Sequence, residues 1–303
     1  MTIDSQPASP LAPSVPTYLS CLQVVMVNTT LPANIGSAAR AMHTMGLSKL
    51  TVIDPKLPID ETSISHAAGG SALLASASIV PTLEAAIADC QLVFAASSRS
   101  RHMPRPVVTP LQAAKIMLDF IDQQLTVNAL NNSQSAPSIA LLFGREDRGL
   151  TNEELAYADY HIQIDANPDY PVLNVASAVQ VIASFIFAYA QSHIPARHNN
   201  DDKNNIETES NQGNNNDDNV LSNDMAPMLT MPVRQHWDEP AITQQQLQQL
   251  TQRITELMVQ RGLADSAHLK ALPLRLSRLG SRIQLDQKEY QLLSALIAKL
   301  SQQ

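Results

Sequence analysis

Short apolar runs recur along the first two thirds of the chain, at residues 22–27, 50–53, 92–96, 139–143 and 161–164. Each has the length of a buried strand, and segments of helical spacing lie between them. That alternation predicts an α/β domain with a mostly parallel sheet covered on both faces. After the first run, Ile35, Ala38, Ala39, Met42 and Met45 fall on one helical face, with Asn34 at the expected N-cap and Gly46 as the stop. A later helical pattern over about residues 174–190 places Val175, Val179, Ile182, Ile186 and Ala190 together and closes the domain near residue 194.

Beyond that point the pattern fails. Residues 195–224 contain ten asparagines and almost no apolar side chain, too little to offset the entropy of ordering. Helical seams then return: Leu247, Leu250, Ile254 and Leu257; Leu272, Leu276, Leu279 and Ile283; and a last helix opened by an Asp286/Glu289 capping box that buries Leu292, Leu293, Leu296, Ile297 and Leu300. The expected organisation is a disordered lead-in (1–20, with Pro7, Pro10, Pro13 and Pro16), a main domain (21–194), a disordered Asn/Asp-rich linker (195–235) and a small helical extension (236–303).

Composition narrows the class. Hydrophobic residues make up 44% of the 303, and no run approaches the roughly 18 apolar residues of a membrane span. The N-terminus lacks the basic start and apolar stretch of a secretory signal, so a soluble, cytoplasmic protein is expected. Cys21 and Cys90 each adjoin an apolar run, as reduced buried thiols do. In that setting the glycosylation pattern Asn28-Thr29-Thr30 has no chemical consequence. Eight scattered histidines show no ligand spacing, so no metal is expected. No Gly-x-Gly-x-x-Gly follows a strand, which disfavours a nicotinamide or flavin enzyme.

The net charge of −8 argues at first against a nucleic-acid partner, but it is unevenly spread. Residues 1–194 carry nine Lys and Arg against 15 Asp and Glu, residues 195–233 two against seven, and residues 234–303 nine against six. A basic C-terminal unit, with Arg275, Arg278 and Arg282 interleaved along one seam, is compatible with RNA binding.

Three separated segments carry candidate chemistry: Asn34-Ile35-Gly36-Ser37-Ala38-Ala39-Arg40, Phe143-Gly144-Arg145-Glu146-Asp147-Arg148-Gly149-Leu150, and residues 170–179 from Tyr170-Pro171-Val172-Leu173-Asn174 onward. Arg40 lies one turn beyond Gly36 and Ser37, where it can reach back toward a helix N-terminus that favours an anion such as a phosphate. Standing alone it also reads as an exposed arginine on an amphipathic helix. The second segment follows a strand and leads into a Thr151/Glu154 capping box. There Gly144 lets backbone approach a ligand, and Arg145 is placed to pair with Glu146. By itself this segment is also a charged surface turn, and the third is also a helix with a polar cap.

In this order the three segments resemble the motif set of the SPOUT-class RNA 2′-O-methyltransferases, most closely the TrmJ type, which methylates the ribose of tRNA nucleotide 32. The resemblance spans residues 22–190 and, more weakly, 237–299, the helical tail being a feature of that type. It implies a SPOUT fold with a deep trefoil knot, S-adenosylmethionine as methyl donor, a tRNA substrate and a homodimer. It also implies Arg40 at the reaction centre, with Asn34, Arg145 and Glu146 positioning the substrate. The donor is expected at Ala96, Ser97, Ser98, Gly144, Ile164, Pro171, Val172, Leu173 and Asn174, and RNA at Arg275, Arg278 and Arg282. A guanidinium is an awkward base, so Arg40 is expected to hold a phosphate and favour the developing alkoxide, with a phosphate oxygen or water taking the proton.

Two positions depart from the family pattern, Ala33 where a glycine is expected and Val172 where a small polar residue is common. Arg99, Arg101 and Arg105 form a basic loop able to meet phosphates, although by itself, with Pro104 and Pro106, it reads more readily as a solvated basic turn. The rival readings are the same reaction on another tRNA or ribosomal RNA nucleotide, and an RNA-binding protein that kept the fold without turnover.

Overall fold

The structure is a computed structural model that describes residues 14–97, 106–133, 135–193, 237–265, 269 and 272–302. Its centre is an all-parallel seven-stranded sheet in the order β3-β2-β1-β6-β4-β7-β5. The strands are β1 (Leu22–Val27), β2 (Lys49–Ile53), β3 (Ser78–Val80), β4 (Leu92–Ala96), β5 (Val107–Val108), β6 (Ile139–Phe143) and β7 (Tyr160–Ile162). Alternation along the strands feeds two cores. Val24, Met26, Ile139, Leu141 and Phe143 face one layer, while Val25, Val27, Ala140 and Leu142 face the other.

Helices α1 (Val15–Ser20), α2 (Pro32–Thr44), α6 (Pro110–Leu130) and α8 (Val175–His193) line the first layer. Helix α3 (Glu61–Ala67) and α4 (Ser71–Ala75) pack beside α2. The second layer holds α5 (Leu83–Ile87) and α7 (Asn152–Leu155). All five strands expected from the sequence are present, although the fifth runs 160–162 rather than 161–164. The two edge strands β3 and β5, three and two residues long, were too short to leave a pattern.

Two expectations are corrected. Part of the expected lead-in is helix α1, which buries Tyr18 and Leu19 and bonds Tyr18 Oη to Asp122 Oδ1 at 2.6 Å; residues 1–13 lie outside the described residues. Helix α8 is long and apolar enough, at a hydropathy of 1.4 over its best window, to cross a membrane by length and composition. Counting only apolar residues missed it, because alanines, serines and Gln180 interrupt the run without making the window polar. Here α8 packs against α2 and α6 and buries Val175, Ala176, Val179, Ile182, Ala183, Ile186 and Ala190.

The expected linker, residues 195–235, lies wholly outside the described residues. Among its described residues the extension forms helices α9 (Gln244–Gln260), α10 (Leu272–Ile283) and α11 (Gln287–Ser301) around Ile242, Leu247, Leu250, Leu285 and Ile297. It docks at the edge of the sheet where the strands begin. Gln244 N donates to Cys90 O at 2.8 Å, Gln91 Nε2 to Ala241 O at 3.0 Å, and Ala241 N to Gln124 Oε1 at 2.7 Å. Trp237 anchors this contact, edge-on to Phe120 at 6.0 Å with its indole N–H on Gln123.

Candidate active site

At the opposite edge, where β1, β4 and β6 end, the three sequence segments meet. Ligands of open parallel sheets bind at this end because the loops there are free to diverge while the strands hold them in register. The segments are joined by a continuous run of hydrogen bonds. Asn174 Nδ2 donates to Asn34 Oδ1 at 3.0 Å, and Asn34 Nδ2 donates to Glu146 Oε1 at 2.7 Å. The Glu146 carboxylate also accepts from Thr30 N at 3.0 Å, from the Thr30 hydroxyl and from Leu31 N at 3.2 Å.

These bonds follow from where α2 begins. Helix α2 starts at Pro32 with Leu31 at the cap, so Asn34 is inside its first turn and is not the N-cap expected from the sequence. Proline at the first position needs no N–H partner, and this start leaves the amides of residues 30 and 31 free for Glu146. The anion at this helix N-terminus is therefore Glu146, where the sequence suggested a phosphate. Burial works against ionisation of Glu146, but the Thr30, Asn34 and backbone bonds outweigh it and hold its carboxyl below the usual glutamate range.

Gly36 and Gly144 serve the frame. A Cβ on Gly36 would stand 2.1 Å from Ser63 O, so glycine lets α3 press onto α2. A Cβ on Gly144 would stand 2.2 Å from the Gly149 carbonyl carbon. The space expected for a close ligand at Gly144 is filled by the chain's own turn, closed by Gly149 N to Arg145 O at 2.9 Å with Gly149 at φ +68°.

Arg145 is not paired with Glu146, as the sequence suggested, because Glu146 turns toward α2. Its guanidinium grips Glu154 instead, Nη1 to Oε2 at 3.0 Å and Nη2 to Oε1 at 2.8 Å. That carboxylate bond and charge raise the Arg145 pKa. Glu154, which also completes the expected Thr151 capping box, is held below the usual glutamate range: burial opposes ionisation, and the Arg145 and Thr151 bonds overcome it.

An open cleft of about 120 Å³ lies beside this frame. Ala96, Ser97, Gly144, Arg145, Glu146 and Val172 line it together with Phe143, Leu150, Val175 and Ala178. Ile164, Pro171, Leu173 and Asn174 do not line the cleft; Ile164 packs against the first core, and Asn174 caps α8, its Oδ1 accepting from the Ala176 amide at 2.9 Å. Ser98, Arg99, Arg101 and Arg105 lie outside the described residues. The loop leading into α8 is laid open, with Tyr170 77% and Val172 57% exposed.

Arg40 is exposed two turns into α2, outside the cleft wall, and makes no side-chain hydrogen bond or ion pair among the described residues. Arg275 and Arg282 are exposed on α10, with Arg278 half-buried between them. Thr30, Asn28 and Glu154 are site residues that sequence reasoning missed. In the sequence Asn28 and Thr30 stand out only as part of a glycosylation pattern, and Glu154 only as a capping residue.

The tRNA (cytidine/uridine-2′-O-)-methyltransferase TrmJ of Klebsiella pneumoniae is 43% identical over 165 residues, 54% of this chain and 62% of its own length. The TrmJ of Cronobacter sakazakii is 42% identical over the same length of alignment. The chain thus spans 62% of the length of these curated relatives. Among solved structures, TrmJ from Z. mobilis ZM4 superposes over 92% of this chain and 98% of its own, at 23% identity and a TM-score of 0.65, a likeness of fold. A methylase family protein from Neisseria gonorrhoeae covers 66% of this chain and 93% of its own, at 32% identity and a TM-score of 0.50. The sequence profile of the SpoU rRNA methylase family matches residues 21–184, more than half of the chain, and the chain belongs to that family.

Proposed function

We propose that this protein transfers a methyl group from S-adenosylmethionine to the ribose 2′-hydroxyl of cytidine or uridine at position 32 of the tRNA anticodon loop. The observation that carries the reading is the bonded run Asn174–Asn34–Glu146–Thr30, which assembles the three motif segments beside one cleft. The relatives named TrmJ support the base and the 2′-oxygen, and position 32 rests on the resemblance to that type.

The cleft suits an adenosyl donor. Its wall joins apolar Phe143, Leu150, Val172 and Val175 to small Ala96, Ser97 and Ala178 beside the polar 144–149 turn, the mixed lining usual for a small-molecule site. When bound there, the donor supplies a methyl on a sulfonium, which passes to the 2′-oxygen as the hydroxyl proton leaves.

The chain's own residues hold and orient. Glu146 stays ionised but is occupied by four hydrogen bonds, so it frames the cleft and is not the base. Arg40 has no side-chain partner among the described residues, and its guanidinium offers several N–H donors, which suits it to grip an RNA phosphate and favour the developing alkoxide. The proton goes to a phosphate oxygen or water. Because Arg40 stands outside its own cleft wall, the same reading makes the protein a homodimer in which Arg40 serves the partner's cleft. Exposed Leu31, Leu173 and Phe185 on and beside α2 and α8 support such an interface. Arg275, Arg278 and Arg282 on α10 hold the tRNA backbone. A tRNA substrate places the protein in the cytoplasm, and a trefoil knot belongs to the same proposal on the resemblance alone.

The test is methyl transfer from labelled donor to unmodified total tRNA, with nucleotide mapping. Label at ribose 32, abolished by Arg40→Ala, supports the proposal. Label at another tRNA or ribosomal RNA nucleotide overturns the substrate, and donor binding without transfer overturns the enzyme. Near-full turnover by Arg40→Lys excludes a specific need for the guanidinium.

A further inference from the structure

The end of β1 carries a device that the motifs do not include. Asn28, just past β1, lies in the left-handed region at φ +46°, and Asp54, just past the neighbouring β2, lies there too at φ +38°. Short polar side chains tolerate this region better than others. The Asn28 amide ties the two strand ends together, with Nδ2 donating to Asp54 Oδ2 at 2.8 Å and to Asp54 O at 3.0 Å. This orientation turns Asn28 Oδ1 toward Arg145, whose Nη2 donates to it.

Glu154 holds the same guanidinium from the other side, and Arg145 Nη1 also reaches Gly149 O at 3.5 Å. All four N–H groups on the two terminal nitrogens are therefore engaged within the protein. The pair is sheltered, with the side chains 12% and 15% exposed. Arg145 is thus committed to holding its own loop, and the 145–149 turn it braces forms one wall of the cleft.

We propose that Asn28 and Glu154 are positioning residues for the methyl-donor cleft, acting from both sides on Arg145 to fix the 145–149 turn. This rests on the proposed function. Neither residue touches the donor; each sets the shape that receives it, so loosening the clamp weakens donor binding and leaves the chemistry of a bound complex largely intact.

The experiment uses the full chain and measures S-adenosylmethionine binding by calorimetry, with donor KM and kcat on tRNA in parallel. Asn28→Gly keeps the left-handed backbone accessible and removes only the side-chain clamp. It is expected to raise the donor Kd and KM about ten-fold, the worth of one lost charge-assisted bond, with kcat at saturating donor within about two-fold of the parent. Glu154→Gln, which keeps the shape and one acceptor, is expected to move the donor KM the same way and less than Glu154→Ala. The Glu154 pair keeps the comparison decisive if Asn28→Gly does not fold. Parent-like donor binding in Asn28→Gly or Glu154→Ala, or a fall in kcat with donor KM unchanged, overturns the inference while the parent's own activity upholds the function. A parent chain that binds no S-adenosylmethionine overturns the function and the inference together.

Discussion

Asn34 donates its amide to Glu146 across 2.7 Å, and 112 residues of chain separate the two. The bond matters because Asn34 is 7% exposed and passes the connection on to Asn174. Asn34→Asp sets a second carboxylate against the first and removes the donor. The variant should lose about 1–3 kcal/mol in urea denaturation at neutral pH, the usual cost of an uncompensated buried polar group. Since one of the two carboxyls can protonate, the loss should shrink as the pH is lowered toward 5.

The two glycines of the 144–149 turn should behave differently. An alanine at Gly144 collides with backbone at 2.2 Å, whereas Gly149 at φ +68° has open space around its Cβ direction. Gly149→Ala then meets only the left-handed penalty of about 1–2 kcal/mol. Gly144→Ala forces the turn apart and should cost about 3 kcal/mol or more. Thermal melts of both variants check the ranking, and equal losses would contradict the packing described.

Acid stability follows from Glu146 and Glu154. Both carboxyls are depressed in the folded chain, so the stability they contribute is fully present above the ordinary glutamate value of about 4.3 and is lost as pH falls through their lower folded values. Glu146→Gln and Glu154→Gln should each be less stable than the parent at pH 7, and the gap should narrow below about pH 4. Denaturation curves between pH 3 and pH 7, taken in steps of about half a unit, would show this.

The α10 arginines are expected to act on RNA and not on the donor. Replacing Arg275, Arg278 and Arg282 together by glutamine should raise the tRNA KM, leave the donor Kd unchanged, and lower the salt slope of tRNA binding by up to about three. An unchanged slope would remove these residues from the RNA contact.

Much of the sheet was legible because buried parallel strands are short apolar runs, and the α2 and α8 faces because their spacing is regular. The α1 helix was hidden by the prolines before it and by Pro16 inside it, which sits in the first turn where it is tolerated, and only Tyr18 and Leu19 are buried. The site was half legible. Its motifs locate the cleft, but which carboxylate meets which cation depends on side-chain direction. Glu146 and Glu154 are both within reach of Arg145 in sequence, and the Pro32 start of α2 decides the matter by offering Glu146 better donors. Nothing in one chain's sequence records that choice.

A single carboxylate, Glu146, joins the segments around the proposed methyl-transfer site, and the initial rate of methyl transfer to unmodified tRNA by the parent chain and by Glu146→Gln tests this role. The substitution keeps shape and packing but replaces acceptance at one oxygen by an N–H facing other donors. The parent is expected to turn over, and the variant, still melting cooperatively, to show a fall in kcat/KM of about 100-fold, near 2.7 kcal/mol. A Glu146→Gln chain that transfers methyl groups at the parent's rate would contradict that role.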